Sequence, residues 1–296
     1  MTQAPGSTPA DPEAGDLQAL AKGGRTNLLG FLLRLAARLP FLFLAGRLYG
    51  AAELGRFASA LVIVELVAML CTMGEKRGLA QRLAEDDRNP GHVVADGLLV
   101  ALLAGSLVAL VLWLVPAPMF PSGSYSQLDR LIVLAIPALA MTEILLAAQA
   151  YKFDIGATVR ARAIVEPWTI SIMTGVLWFV VPESGLSMAY LISIYAALLT
   201  ALWPYWKSYG APTGWVPSFS RMGQLTMRGA PLAAADAIDW GTRRLDIFIL
   251  GLFAAPAAVG VYYVAQQVAS LPQKLKTSFE PILGPVLTRK VKEHDY

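Results

Sequence analysis

Apolar residues in this chain do not alternate with polar ones. They come in long blocks divided by short polar gaps. Windows of predominantly apolar residues, close to the roughly 20 that a helix needs to cross a bilayer, recur at 28–46, 57–74, 94–115, 131–150, 163–181, 186–203, 230–253 and 257–271. Blocks of this length predict helices, because a helix satisfies its own backbone N–H and C=O groups where no water can. The expected fold is all-α and polytopic, with about eight transmembrane helices. The eighth block is the least apolar, being interrupted by Gln266 and Gln267.

Basic residues give the layout a direction. Residues 1–22 are rich in Pro, Gly, Ala and acids and lack the basic start and apolar centre of a cleaved leader. They read as a disordered cytoplasmic N-terminus. With that end inside, 17 of the 24 Lys and Arg fall on the cytoplasmic side and only Arg47, Arg56 and Arg130 on the other. Arg34, Arg38, Arg243 and Arg244 lie within blocks. Such asymmetry is the signature of cytoplasmic loops. It also favours an even number of spans, since an odd number would carry the basic tail Lys274–Lys292 outward. Both termini are therefore expected in the cytoplasm. Trp203, Tyr205, Trp206 and Tyr209 cluster where the sixth block ends, as interfacial anchors do.

Composition narrows the function. Hydrophobic residues make up 56% of the chain and charged ones 15%, with mean hydropathy +0.54. Soluble domains carry about 25% charge, so a soluble enzyme and a nucleic-acid-binding domain are both excluded. Cys71 is the lone cysteine, and His92 and His294 are the only histidines. No intrachain disulfide, thiolate cluster or histidine-rich metal centre follows from that set, and no cofactor or metal is expected.

The first and seventh blocks look alike at an offset of 205 residues. Arg38 falls on Arg243, Phe43 on Phe248, Gly46 on Gly251, Gly55 on Gly260 and Phe57 on Tyr262. Six blocks fit between the copies, the pattern of two parallel six-helix lobes related by an axis along the membrane normal. The chain then divides into a six-helix N-lobe at 23–208, a cytoplasmic linker at 209–229 and the first two helices of a C-lobe at 230–296. This arrangement predicts the N-terminal part of a longer protein.

Charges inside the blocks are the candidate site. A central Arg or Asp costs about 2.5–3.5 kcal/mol on insertion scales, and Leu or Phe returns only about 0.3–0.6 kcal/mol. Such residues face a bundle interior or a wet cavity. Arg34 and Arg38 share a helical face, and Asp236, Asp239, Arg243 and Asp246 follow at steps of three, four and three, forming one polar stripe. Arg38 and Arg243, matched by the repeat, would face a shared space and take the phosphate of an anionic substrate in bidentate fashion. The structural alternative pairs Arg34 with Glu65 and Arg243 with Asp239 as buried locks between helices. Glu65 and Glu143 are candidates for coupling or for helix–helix hydrogen bonding. Glu85–Arg88 reads as a solvated loop, and Glu166-Pro167 as a helix start.

The segments Arg25-Thr-Asn-Leu-Leu-Gly30, Gly46–Phe57, Gly229-Ala-Pro231, Asp246–Gly251 and Val259–Gln266 carry a resemblance to a family. The chain resembles the polysaccharide flippases of the multidrug/oligosaccharidyl-lipid/polysaccharide exporter superfamily. The resemblance implies two helical lobes around a central cavity and alternating access in the bacterial inner membrane. The implied cargo is a polyprenyl-diphosphate-linked oligosaccharide for O-antigen or exopolysaccharide, with polysaccharide-assembly proteins as further partners. Two other readings stand beside it. One is a membrane enzyme of the same pathway, such as a polymerase or acyltransferase; the short, nearly uncharged outside turns speak against it. The other is a drug/cation antiporter of the superfamily, whose first helix would offer acids where this one offers Arg34 and Arg38.

Overall fold

The computed structural model describes residues 39–270 together with Ala36. Arg34, Arg38, the N-terminal lead and the basic tail lie outside the described residues. Residues Ala36–Gln266 form one compact unit.

Helices account for every regular element among the described residues. The end of the first block runs into a short π-helix, Ala45–Tyr49, and the chain then reverses at Gly50, whose φ of 81° suits a residue without Cβ. Helix α1 follows at Gly50–Cys71, then α2 at Glu75–Glu85, α3 at Pro90–Leu114 and, after a 3-10 stretch at Asp129–Leu134, α4 at Ala135–Tyr151. A helical turn at Ile155–Thr158 and a π-helix at Val159–Val165 lead into α5, Glu166–Trp178. Then come α6 at Gly185–Tyr209, α7 at Phe219–Phe253 and α8 at Pro256–Ala269.

Helices thus stand at each expected block from the second to the eighth. Four stretches are long and apolar enough to cross a membrane: Leu39–Glu85, Pro90–Leu114, Asp129–Tyr151 and Gly185–Tyr209. Between the second and third blocks, Glu75–Glu85 is an amphipathic helix that buries Leu79 and Leu83, with Glu75 paired to Arg82. The α-helix starts at Glu166 with Pro167 in its first turn, as expected, and the π segment Val159–Val165 leads directly into it.

Helix α1 is the centre of the bundle. Every residue from Phe57 to Val64 is buried, so no face is left for lipid. It packs on α4 and α7, while α4 also contacts α3 and α6, and α5 lies along α6. Helix α3 instead exposes Leu103, Leu107, Leu110 and Leu114, a stripe suited to hydrocarbon. Tyr49 closes the non-basic end: its hydroxyl donates to the Thr174 carbonyl at 2.9 Å and its ring lies edge-on to Trp178.

At the opposite end, Asp96 fastens the linker. It is 1% exposed and accepts from Arg88 Nη1 (2.9 Å), Trp215 Nε1 (2.8 Å) and Arg221 Nε (3.3 Å). Asp86 and Arg88 therefore belong to a packed ion-pair cluster and not to a solvated loop. The hydrogen bond from Arg88 holds the Asp86 carboxyl below the usual range.

Glycines set how closely α1 meets the helices of the second copy. A Cβ on Gly55 would overlap the Pro256 carbonyl oxygen and lie 2.8 Å from Gly260 N; one on Gly260 would overlap the Ala51 carbonyl oxygen and lie 2.9 Å from Gly55 N. Ala51 and Pro256 are themselves 205 residues apart, as are Gly55 and Gly260. Each glycine thus faces its own counterpart and the counterpart's neighbour, the reciprocity of a two-fold contact. Near the basic end, a Cβ on Gly229 would overlap the Met73 carbonyl oxygen, whereas Gly241 on the same helix has nothing within 4 Å. Gly229→Ala should cost about 1–3 kcal/mol through forced separation of backbones, and Gly241→Ala should be neutral or mildly stabilising. Thermal unfolding of both variants in detergent measures this contrast; equal effects would contradict it.

Candidate functional site

Where α1, α2, α4, α5, α6 and α7 converge they leave a cavity of about 160 Å³. Its wall is unusual for a bundle of apolar helices. Glu65 comes from α1 and Thr72 from its C-terminal cap, Lys76 from α2, Glu143 from α4, Arg162 from the π-helix and Glu166 from α5, with Tyr190 of α6 and Trp240 of α7 completing it.

Arg162 is the hub. One guanidinium nitrogen donates to Glu143 Oε1, and the other meets Glu166 Oε2 at 2.5 Å. Lys76 Nζ approaches the remaining Glu143 oxygen at 3.1 Å. Across the bundle, Arg244 of α7 reaches Glu65 of α1 at 3.6 Å, and Arg244 Nη1 has no hydrogen-bond partner among the described residues. Three carboxylates thus face three cations. In a low-dielectric interior charges must be paired in this way or become neutral. The π-helix adds one residue per turn, and this local widening carries Arg162 between α4 and α5.

The acidic stripe expected on the seventh block does not stay together. The buried seam of α7 runs through Ala233, Asp236, Trp240, Ile247 and Gly251, with Arg244 partly buried on the same line. Asp236 lies on it, 3% exposed, with Oδ1 at 2.6 Å from Arg77 Nε and Oδ2 without a partner among the described residues. Asp239, Arg243 and Asp246 are turned about 60°, 20° and 80° to one side of Asp236, past the edge of that seam. Arg243 and Asp239 pair at 3.0 Å on an exposed face, Arg243 being 67% exposed. Asp246 accepts from Tyr262 Oη at 2.6 Å and Gln266 Nε2 at 2.7 Å.

The expected lock between Arg243 and Asp239 therefore exists, but on the surface of the unit and within one helix. Glu65 takes Arg244 as partner; Arg34, its expected one, lies outside the described residues, as does Arg38. Glu143 falls in the chamber. Arg162, counted with the cytoplasmic charges, is its most connected member, because the fifth helix begins well before the apolar block does. The signal for it was present in the Arg162–Glu166 spacing of four. Lys76, Tyr190, Trp240 and Arg244 had no comparable local sign.

Comparison with known proteins adds an independent finding. A family described as polysaccharide biosynthesis protein matches residues 44–296. The chain belongs to that family. No curated protein and no solved structure matches it. This polysaccharide biosynthesis protein is a helical membrane protein whose polar chamber is built by helices from both ends of the matched region.

Loss of Arg162 should be costly, because Glu143 and Glu166 would stay partly buried without their shared cation. Arg162→Met is expected to destabilise the protein by about 3 kcal/mol. Adding Glu166→Gln should restore part of that loss instead of deepening it. Denaturant unfolding in detergent of the single and double variants decides the matter; additive losses would show that the three groups do not form a network.

Proposed function

We propose that the protein is a transporter that moves a polyprenyl-diphosphate-linked oligosaccharide across the bacterial inner membrane by alternating access, for assembly of a cell-surface polysaccharide. The chain contributes an N-lobe and the opening helices of a C-lobe, with both termini cytoplasmic. One observation carries this reading. A charge-lined chamber sits among apolar helices and is bridged by a long ion pair, Glu65 to Arg244, between α1 of one copy and α7 of the other. A carrier that opens to alternate sides needs polar surface where its halves meet, held by contacts that can part.

The cargo's parts suit different groups. The diphosphate needs a cation free to turn toward it. Arg243 is exposed and holds only a surface pair with Asp239, which is worth little against a phosphate. By the 205-residue offset Arg38 is its counterpart, and Arg34 extends the same face. Asp236 and Asp246 are engaged with Arg77 and with Tyr262 and Gln266, and they shape the α7 surface instead of meeting an anion. Glu65 is the acid whose pairing would change as the halves separate, whereas Glu143 keeps Lys76 and Arg162 within the N-lobe.

Reconstitution of the full-length protein into liposomes with labelled lipid-linked sugar tests the proposal. Wild-type protein should translocate the label. Arg243→Gln and Arg38→Gln should each slow it at least about tenfold, the loss expected for one charged hydrogen-bond donor, without lowering the amount of protein in the membrane. Undiminished translocation in both variants would remove the assigned anion site, and no translocation by wild type would remove the transporter reading.

A further inference from the structure

The chamber is electrically balanced, and this bears on what it can hold. Lys76, Arg162 and Arg244 match Glu65, Glu143 and Glu166, and each cation is already engaged. A diphosphate entering here would have to take cations from carboxylates and leave those acids unpaired in a low-dielectric space. A neutral, hydroxyl-rich ligand meets no such penalty. Carboxylates hold spare lone pairs for hydroxyl donors, and guanidinium and ammonium groups hold spare N–H for hydroxyl oxygens.

The remaining wall has the matching chemistry. Tyr190 is 5% exposed and Trp240 8% exposed, and both line the cavity. Neither the Tyr190 hydroxyl nor Trp240 Nε1 donates a hydrogen bond to a described residue, and neither atom is fully buried, so both polar tips open onto accessible space. The Tyr190 hydroxyl also lies within electrostatic range of Glu65, Glu166, Arg162 and Arg244. Flat apolar rings carrying unused polar tips, set among paired charges, suit a ring that is apolar on its faces and hydroxylated at its rim. The volume of about 160 Å³ corresponds to about five waters at ~30 Å³ each, or one six-membered sugar ring with its substituents.

We propose that this chamber binds one sugar unit of the cargo, with Trp240 and Tyr190 as its walls and the Glu143–Arg162–Glu166 network as its hydrogen-bonding rim. The inference rests on the transporter reading and adds to it a division of labour: the diphosphate goes to the exposed Arg243 and the sugar to the chamber. Trp240 and Arg243 are three residues apart on α7, less than one helical turn of 5.4 Å, so one lipid-linked sugar can address both.

Binding of two probes to the purified full-length protein in detergent separates the possibilities. One is undecaprenyl diphosphate; the other is the undecaprenyl-diphosphate oligosaccharide extracted from the source cells. Wild type should bind the second more tightly. Tyr190→Phe and Trp240→Leu should weaken the sugar-bearing lipid about five- to tenfold, the loss of one buried hydrogen bond, and leave the bare lipid unchanged. Equal binding of both probes by wild type, equal losses for both, or no loss in either variant would overturn the proposal. Failure of wild type to bind even the bare lipid would instead overturn the transporter reading beneath it. Tyr190→Phe removes a single oxygen, so it carries the test if Trp240→Leu does not fold, with matched thermal unfolding as the control.

Discussion

Helix α1 can lie against α7 and α8 only where side chains are missing. At Gly55 and Gly260 the two backbones come so close that a Cβ on either would overlap a carbonyl oxygen of the other helix, and Gly229 meets Met73 in the same way near the far end. Close backbone approach through small residues is how helices associate in lipid, where hydrophobic burial no longer distinguishes helix from tail. The polar contacts of α7 depend on this approach. It brings Arg244 over Glu65, sets Trp240 into the cavity wall and presses Asp236 against Arg77. A methyl group at these crossings would move α7 outward and open the chamber.

Burial then dictates how the charges are arranged. Charges inside an apolar bundle persist only in pairs, so Arg162 serves two carboxylates and Lys76 closes the set. The pairing leaves a polar space with no net charge, which is a poor receptor for an anion and a good one for hydroxyls. The exposed Arg243–Asp239 pair has the opposite character: solvent weakens it, and its guanidinium can be given up to a phosphate. On the proposed reading, in which the cargo is part sugar and part diphosphate, the two environments would serve different ends of it.

Much of the fold was legible because hydrocarbon imposes a length. Apolar blocks of about 20 residues can only be helices, and α3, α4 and α6 fall where the blocks do. Boundaries were less legible. Glu75–Glu85 is polar enough to pass for a loop, yet Leu79 and Leu83 at a spacing of four bury one of its faces. The candidate site was read only in part. The spacing of Asp236, Asp239, Arg243 and Asp246 fixed them to one side of α7, but a helix side is about 100° wide and the buried seam is narrower. Asp236 and Arg243 lie seven residues and only about 20° apart around the helix, yet the edge of the seam passes between them: Asp236 is buried and Arg243 is not.

By itself the sequence determined a helical membrane protein with a basic side, a repeat at 205 residues and ionisable groups placed where hydrocarbon would reject them unpaired. Those properties follow from composition and spacing within single helices. Partner choice between helices was decided by the tertiary structure, whereas Arg162–Glu166 and Asp239–Arg243 carried a local sign in their spacing of four. Glu65 meets Arg244, Arg162 reaches Glu143, and Tyr190 and Trp240 line the same cavity from different helices. The physical reason is that pairing between helices depends on the rotation and approach of whole helices, which here are fixed by a few glycine crossings and a π-helical turn, and not by the local pattern around any of the charges.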